Sequence, residues 1–115
     1  MERARRVFIT NRGGHNYSDA KRFGELVYMT EGRQNRFAVA SIYRTFTEAM
    51  DGSSKSDYLL VTSMNVLNSI AAAIFARKHG CLNLLLFKEG RYEPREIDID
   101  SLLYLDSKEI KDEVL

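Results

Sequence analysis

The chain has 115 residues, 44% of them hydrophobic and 29% charged, with a formal net charge of +1. That length and balance describe one globular domain, residues 1–115, long enough to bury a core, and they exclude a disordered or collagen-like chain. Near-neutral charge removes any whole-chain electrostatic case for a nucleic-acid or anionic-membrane partner.

Arg3, Arg5, Arg6 and Arg12 crowd the N-terminus. This arm is placed either to touch phosphate or to pair with the mostly acidic tail, 98–115. Within it, RVFIT (Arg6–Thr10) is a short β-branched strand. Gly13 and Gly14 then let the chain turn, and Ser18 is a good N-cap with Asp19 in the first helical turn. Ala20 and Phe23 share a helix face, and Gly24 is the stop signal. ELVYMT (Glu25–Thr30) reads as a second strand, with a continued helix as its rival.

After a polar loop, Val39, Ile42, Tyr43, Phe46 and Met50 recur at helical spacing, with Arg44 and Glu48 on the opposite face. A turn-rich linker (Asp51–Asp57) leads to YLLVT (Tyr58–Thr62), apolar on both faces as an interior parallel strand should be. Leu67, Ile70, Ala71, Ile74 and Phe75 form one face of the next helix. It ends in Arg77, Lys78 and His79, which suit the helix dipole, and then Gly80. LNLLLF (Leu82–Phe87) is a buried strand, and Tyr92–Ile97 returns as a hairpin strand that Pro94 marks as an edge. The order β-α-β-α-β-α-β-β predicts a small Rossmann-like three-layer α/β domain, mostly parallel, with an antiparallel hairpin edge.

The lone cysteine, Cys81, allows neither an intramolecular disulfide nor a cysteine-based zinc site, and is expected to be structural. That usage, with no apolar run of spanning length and no signal-peptide pattern, points to a cytoplasmic protein without a membrane partner. Asp98 and Asp100 read as solvated carboxylates. The apolar tail segment Leu102–Leu105 and the edge hairpin offer surfaces for a homodimer, or the tail folds back on its own chain.

In open α/β sheets, ligands bind beyond the carboxyl ends of the strands, where the strand order reverses. Two loops should leave neighbouring strands there. The first is Asn11–Asp19 (NRGGHNYSD): glycines admit an anion, the helix start favours one, Arg12 adds charge, and His15, Tyr17 and Ser18 can hydrogen-bond a ribose or phosphate. The second offers Thr62, Ser63, Asn65 and Asn68, which can recognise a base or sugar or cap the helix, Ser63 or Asn65 being suitable N-caps. The first loop lacks the glycine spacing of the dinucleotide fingerprint and the Gly-Lys-Ser/Thr ending of a P-loop. His15 and Asp19 are the only catalytic candidates, Asp19 being four residues on and able to orient the imidazole. No metal site or cofactor is implied.

The stretch VFITNRGGHNYSDAKRFGEL resembles the start of small Rossmann-like proteins of the SLOG superfamily, and YLLVTSMNVLNSIAAAIFARKHGCLNLLLF sits where that superfamily has strand, ligand loop, alanine-rich helix and strand. The chain also resembles small phage-encoded proteins of unknown function. The SLOG likeness implies a nucleotide or nucleotide-derived ligand contacted by Gly13, Gly14, Tyr17, Ser18 and Asp19. An enzymatic version would be an N-glycosidase-type hydrolase. In place of glycines the second loop carries Thr62-Ser63-Met64-Asn65, and no catalytic glutamate is evident. The expected function is therefore a nucleotide-binding module. The alternative is a non-catalytic interaction or assembly protein in which the glycine loop is only structural.

Overall fold

The computed structural model describes residues 3–102. Strand β1 (Arg6–Ile9) lies between β2 (Glu25–Tyr28) and β3 (Tyr58–Leu60). Strand β4 (Cys81–Lys88) follows β3, and β5 (Arg91–Asp98) forms the edge. The order is β2-β1-β3-β4-β5, with the first four strands parallel and β5 antiparallel to β4. This is the expected small α/β domain, and the strand order reverses between β1 and β3.

Side chains alternate across the sheet, so β1 sends Phe8 to one face and Val7 and Ile9 to the other. Helices α1 (Val39–Ala49) and α2 (Asn65–His79) cover the first face, where Ile42, Phe46 and Met50 meet Leu67, Ala71 and Phe75 over Phe8 and Leu59. Val39 and Tyr43 stay exposed, because the apolar stripe of α1 is wider than its contact with α2 and the sheet.

The second face is covered more thinly. The first helix is not an α-helix but a six-residue 3-10 helix, Ser18–Phe23, which packs Ala20, with Tyr17 just before it, against Val7, Ile9 and Leu85. Six residues before a forced stop are too few for a stable α-helix. Nor does Ser18 cap it: the Ser18 N–H is itself held by Asn16 Oδ1 at 2.9 Å.

Gly24 decides the rivalry over the next segment in favour of a strand. A Cβ on Gly24 would lie 2.5 Å from the Arg5 carbonyl oxygen, so only glycine lets β2 come alongside β1. The Glu25 N–H then donates to that same carbonyl at 2.9 Å.

Strands β4 and β5 are joined through Glu89 (φ 51°) and Gly90 (φ 84°), a two-residue turn with both residues left-handed, as tight hairpins favour. At the free edge, the Tyr92 N–H donates to Asp19 Oδ2 at 2.8 Å and the Tyr92 carbonyl accepts from Arg22. Both Tyr92 backbone groups therefore point away from β4, and the period of two puts the Pro94 nitrogen on the same outer side. The edge is blocked at both positions against an added strand.

Asp57, from the linker, is fully buried and organises the N-terminal arm. Its carboxylate accepts from both Arg3 nitrogens (3.2 and 2.5 Å), the Arg6 N–H (2.9 Å) and the Ser54 N–H (2.7 Å). The described ion-pair partner of Arg3, the first cation of the arm, is thus this internal carboxylate. Asp98 is not merely solvated: it accepts from the Ser101 N–H and hydroxyl at 3.1 and 2.7 Å, starting the short helix α3 (Ile99–Leu102). Leu103, Tyr104, Leu105 and the rest of the acidic tail lie outside the described residues. Among the described residues, no helix is long and apolar enough to cross a membrane.

Candidate functional site

Because β1 and β3 are neighbours at the reversal point, the loops that leave them converge. Between them lies a cleft of about 470 Å³, lined by Asn11, Gly13, Gly14, His15 and Tyr17 from one loop and Thr62 and Ser63 from the other. That volume falls within the roughly 300–1,000 Å³ of small-molecule sites. Four further residues line it, of which Phe87 and Tyr92 escape sequence reasoning. Val61 and Met64 complete the second loop, and Phe87 and Tyr92 hang over the cleft from the hairpin. Phe87 and Tyr92 face each other across the ladder, near the end of a β4 strand that outruns β3. Only the register, which no single segment encodes, brings them there.

The aromatic side of the cleft is continuous. Ring centroids step from Phe87 to Tyr92 (5.1 Å), Tyr92 to Tyr17 (6.5 Å) and Tyr17 to His15 (5.4 Å). These are spacings at which aromatic pairs interact, and because Tyr17 and Tyr92 are buried, the rings open to a planar group are His15 and Phe87 at the two ends of the row. Burial pushes the hydroxyls of Tyr17 and Tyr92 above the usual phenol range, so both stay neutral donors.

Several polar groups near the cleft are already committed. The Asn11 amide donates to the Gly32 carbonyl (2.9 Å) and accepts from Thr30 Oγ1 (2.8 Å), so it fastens the strand end to the 30–32 loop. Asn68 stands behind the second loop. Its Oδ1 accepts from the Thr62 N–H (3.3 Å) and hydroxyl (3.1 Å), and its Nδ2 donates to the Thr62 carbonyl (2.7 Å). The Thr62 hydroxyl proton is spent on Asn68, so Thr10 donates across the β1–β3 boundary to Thr62 Oγ1 at 3.2 Å. Neither Ser63 nor Asn65 caps α2. Met64 holds the cap position without a side-chain bond, and its N–H goes to Thr62 Oγ1 at 3.1 Å. Asn65 borders a separate hollow beside Arg36.

Arg12 and Ser18 line a second hollow that adjoins the cleft, with Lys21 and Tyr28. The Arg12 guanidinium lies 5.0 Å over the Tyr28 ring. Asp19 borders neither hollow, being engaged with the Tyr92 N–H and, at 3.5 Å, with Arg22. The Tyr92 N–H holds the Asp19 carboxyl below its usual range, the reverse of what a general acid needs. No hydrogen bond joins Asp19 to His15, so the imidazole is not oriented by it.

The glycine pair bears most on function. Neither Gly13 nor Gly14 has a positive φ, and a Cβ on either would meet no atom within 4 Å. The turn does not require glycine. Among the described residues, the N–H groups of Gly13, Gly14 and His15 donate to no protein acceptor. What glycine supplies here is bare backbone facing open space, on which an outside group can come close.

A larger hollow, about 670 Å³, lies at the other end of the sheet, walled by His79, Cys81, Glu96, Asp98 and Asp100 among others. It is on the amino-terminal side of the parallel strands, away from the reversal point where α/β sheets bind ligands, and its carboxylates face Arg5 and Lys55 in the same lining. For His79 there, burial works against the helix-dipole role that its place at the end of α2 suggests. Burial, and then the neighbouring Lys78 charge, push its pKa down, and its Nε2 meets Ser53 Oγ at 2.8 Å. Burial pushes the Cys81 thiol up, away from nucleophilic chemistry. Among the described residues no group of three or more His, Cys, Asp or Glu side chains is arranged to hold a metal ion.

Fold and cleft together define a small, mostly parallel α/β domain with a ligand-sized crevice at its strand-order reversal. The chain belongs to the phage Pam3 gp32-like protein family, whose model matches residues 4–100. No curated protein and no solved structure matches it.

Proposed function

We propose that this phage-family protein is a binding module for a nucleotide or nucleotide-derived ligand, held in the cleft between the Gly13–Gly14 loop and the Thr62–Ser63 loop. The observation that carries this reading is the glycine pair, which lines the cleft although neither φ nor any neighbouring atom demands glycine. Bare N–H groups suit an anion, the exposed His15 and Phe87 rings, backed by buried Tyr17 and Tyr92, suit a base, and Ser63 adds a neutral hydroxyl. The likeness to the SLOG superfamily rests on the opening motif and agrees in ligand class. Among the described residues no acid–base pair stands in the cleft, so the reading is binding without catalysis.

A thermal-shift panel of nucleotides, dinucleotides, cyclic nucleotides and ADP-ribose-type compounds tests it. A ligand at about a hundred times its Kd adds roughly 2.7 kcal/mol, a shift of several degrees. The shift should vanish in Gly14→Val while that variant melts normally by itself. A flat panel with the native chain would remove the reading.

The rival reading, a phage interaction or assembly protein, draws support from Phe37, Val39 and Tyr43, which are 79%, 50% and 56% exposed at the start of α1. These are large apolar side chains without cover among the described residues. Solution mass separates the self-associating version, since a strict monomer at high concentration leaves it without support.

A further inference from the structure

The cleft does not stand alone. Gly13, Gly14, His15 and Tyr17 border both it and the hollow of about 250 Å³ that contains Arg12 and Lys21. At its other end, Ser63 and Met64 border both it and a further hollow of about 250 Å³ that contains Arg36 and Asn65. The central cleft therefore adjoins a hollow on each of its two loops, and we term the three together the trough.

Its charge is arranged in the same order. Among the described residues the middle is lined by no Arg, Lys, Asp or Glu side chain, but by hydrogen-bonding groups, aromatic rings and the apolar Val61 and Met64. One end has Arg12 and Lys21, the other has Arg36, and among the described residues no carboxylate lines any of the three hollows. Among the described residues none of these cations forms an ion pair, and none of their side chains donates a hydrogen bond. Arg12 lies on Tyr28 at 5.0 Å and Arg36 on Phe37 at 5.2 Å, contacts that hold a guanidinium plane while leaving its N–H edges free. The hollow at the amino-terminal end of the sheet differs in carrying both signs, with Arg5 and Lys55 beside Glu96, Asp98 and Asp100.

We infer that the trough takes a nucleotide chain with two separated phosphates, a nucleoside lying in the aromatic middle and one phosphate reaching each cationic end. This deepens the nucleotide reading above and rests on it. A nucleoside monophosphate has an anion for the Arg12 end only and leaves Arg36 without a partner. Two sources supply the chemistry: a soluble linear dinucleotide with a terminal phosphate, or the phosphorylated end of a single strand.

The test is calorimetric titration of the full chain with a nucleoside monophosphate, a terminally phosphorylated dinucleotide and a short 5′-phosphorylated oligothymidylate. The dinucleotide should bind about tenfold or more tighter than the monophosphate, and removing each arginine should lower the salt slope by about one. Arg36→Ala should bring the dinucleotide down to the monophosphate's affinity and leave the monophosphate unchanged. Arg12→Ala should weaken both, and Lys55→Ala, at the far end of the sheet, neither. An oligothymidylate that binds as well as the dinucleotide identifies a strand end; one that is excluded identifies a soluble dinucleotide. Equal affinities for monophosphate and dinucleotide, or an Arg36→Ala variant that keeps the dinucleotide's advantage, would overturn the two-phosphate trough and leave the cleft reading standing. Failure of all three ligands would overturn both.

Discussion

The Asp19 carboxylate accepts the Tyr92 N–H at 2.8 Å, across 73 positions of sequence, while Arg22 from the same 3-10 helix donates to the Tyr92 carbonyl. A six-residue helix thus holds both backbone groups of the residue that forms one wall of the cleft. Asp19→Ala should lower the melting temperature and speed hydrogen exchange at the Tyr92 amide, with Asp19→Asn intermediate because it keeps an acceptor. Unchanged protection of that amide would show that something else holds the hairpin.

Asp57 gives the clearest pH signature. Burial by itself would raise its pKa, but the Arg3 guanidinium and the Ser54 and Arg6 N–H groups outweigh burial and leave it below the usual range. A depressed folded pKa stabilises above the unfolded value near ~3.9 and loses that contribution as pH falls through the folded value. Acid unfolding monitored by circular dichroism should therefore show a step below about pH 4 that Asp57→Asn flattens. Asp57→Ala leaves the Arg6 and Ser54 N–H groups unpartnered and removes the ion pair of Arg3, and should cost on the order of 3 kcal/mol in urea denaturation.

The glycines divide into two kinds, and substitution separates them. Gly14→Ala should be neutral or stabilising by up to about 1 kcal/mol, because the native backbone tolerates it and the unfolded chain loses freedom. Gly24→Ala should destabilise strongly, since its Cβ would meet the Arg5 carbonyl at 2.5 Å and force β2 away from β1. Comparable melting temperatures for the two variants would contradict this division.

Asn68 is the brace of the second loop. Asn68→Ala removes all three of its bonds to Thr62, and should lower stability by roughly 1–3 kcal/mol, measured by chemical denaturation. Ligand affinity should fall with it, because the loop that Thr62 begins is no longer held. Full stability in this variant would mean that the Thr10–Thr62 contact is enough.

His79 should titrate below the ordinary histidine range, because burial and then Lys78 disfavour the imidazolium. Its folded pKa lies below the unfolded value near ~6.5, so its contribution is present above that value and is lost as pH falls through the folded pKa. A two-dimensional NMR titration following the His79 ring would read this directly. An elevated value would restore the helix-dipole account.

The alternation of apolar strands with helical periodicities was enough to determine an α/β domain with a hairpin edge, because those periods are local properties of the chain. RVFI and YLL carry their burial in their own composition, and Ile42, Phe46, Leu67 and Ala71 mark their faces by spacing alone. For the same reason the NRGGHNYSD and TSMN loops could be singled out as strand exits. Four things needed the tertiary structure. The length of the first helix depends on how closely β2 must approach Arg5 at Gly24. The role of Asp19 depends on a hairpin seventy residues away. The choice between bare-backbone glycine and turn glycine depends on φ and on what surrounds the missing Cβ. The aromatic wall of Phe87 and Tyr92, and the trough from Arg12 to Arg36, depend on strand order and register. All four are set by contacts between segments that are distant in sequence, and such contacts leave no periodicity within any one of them.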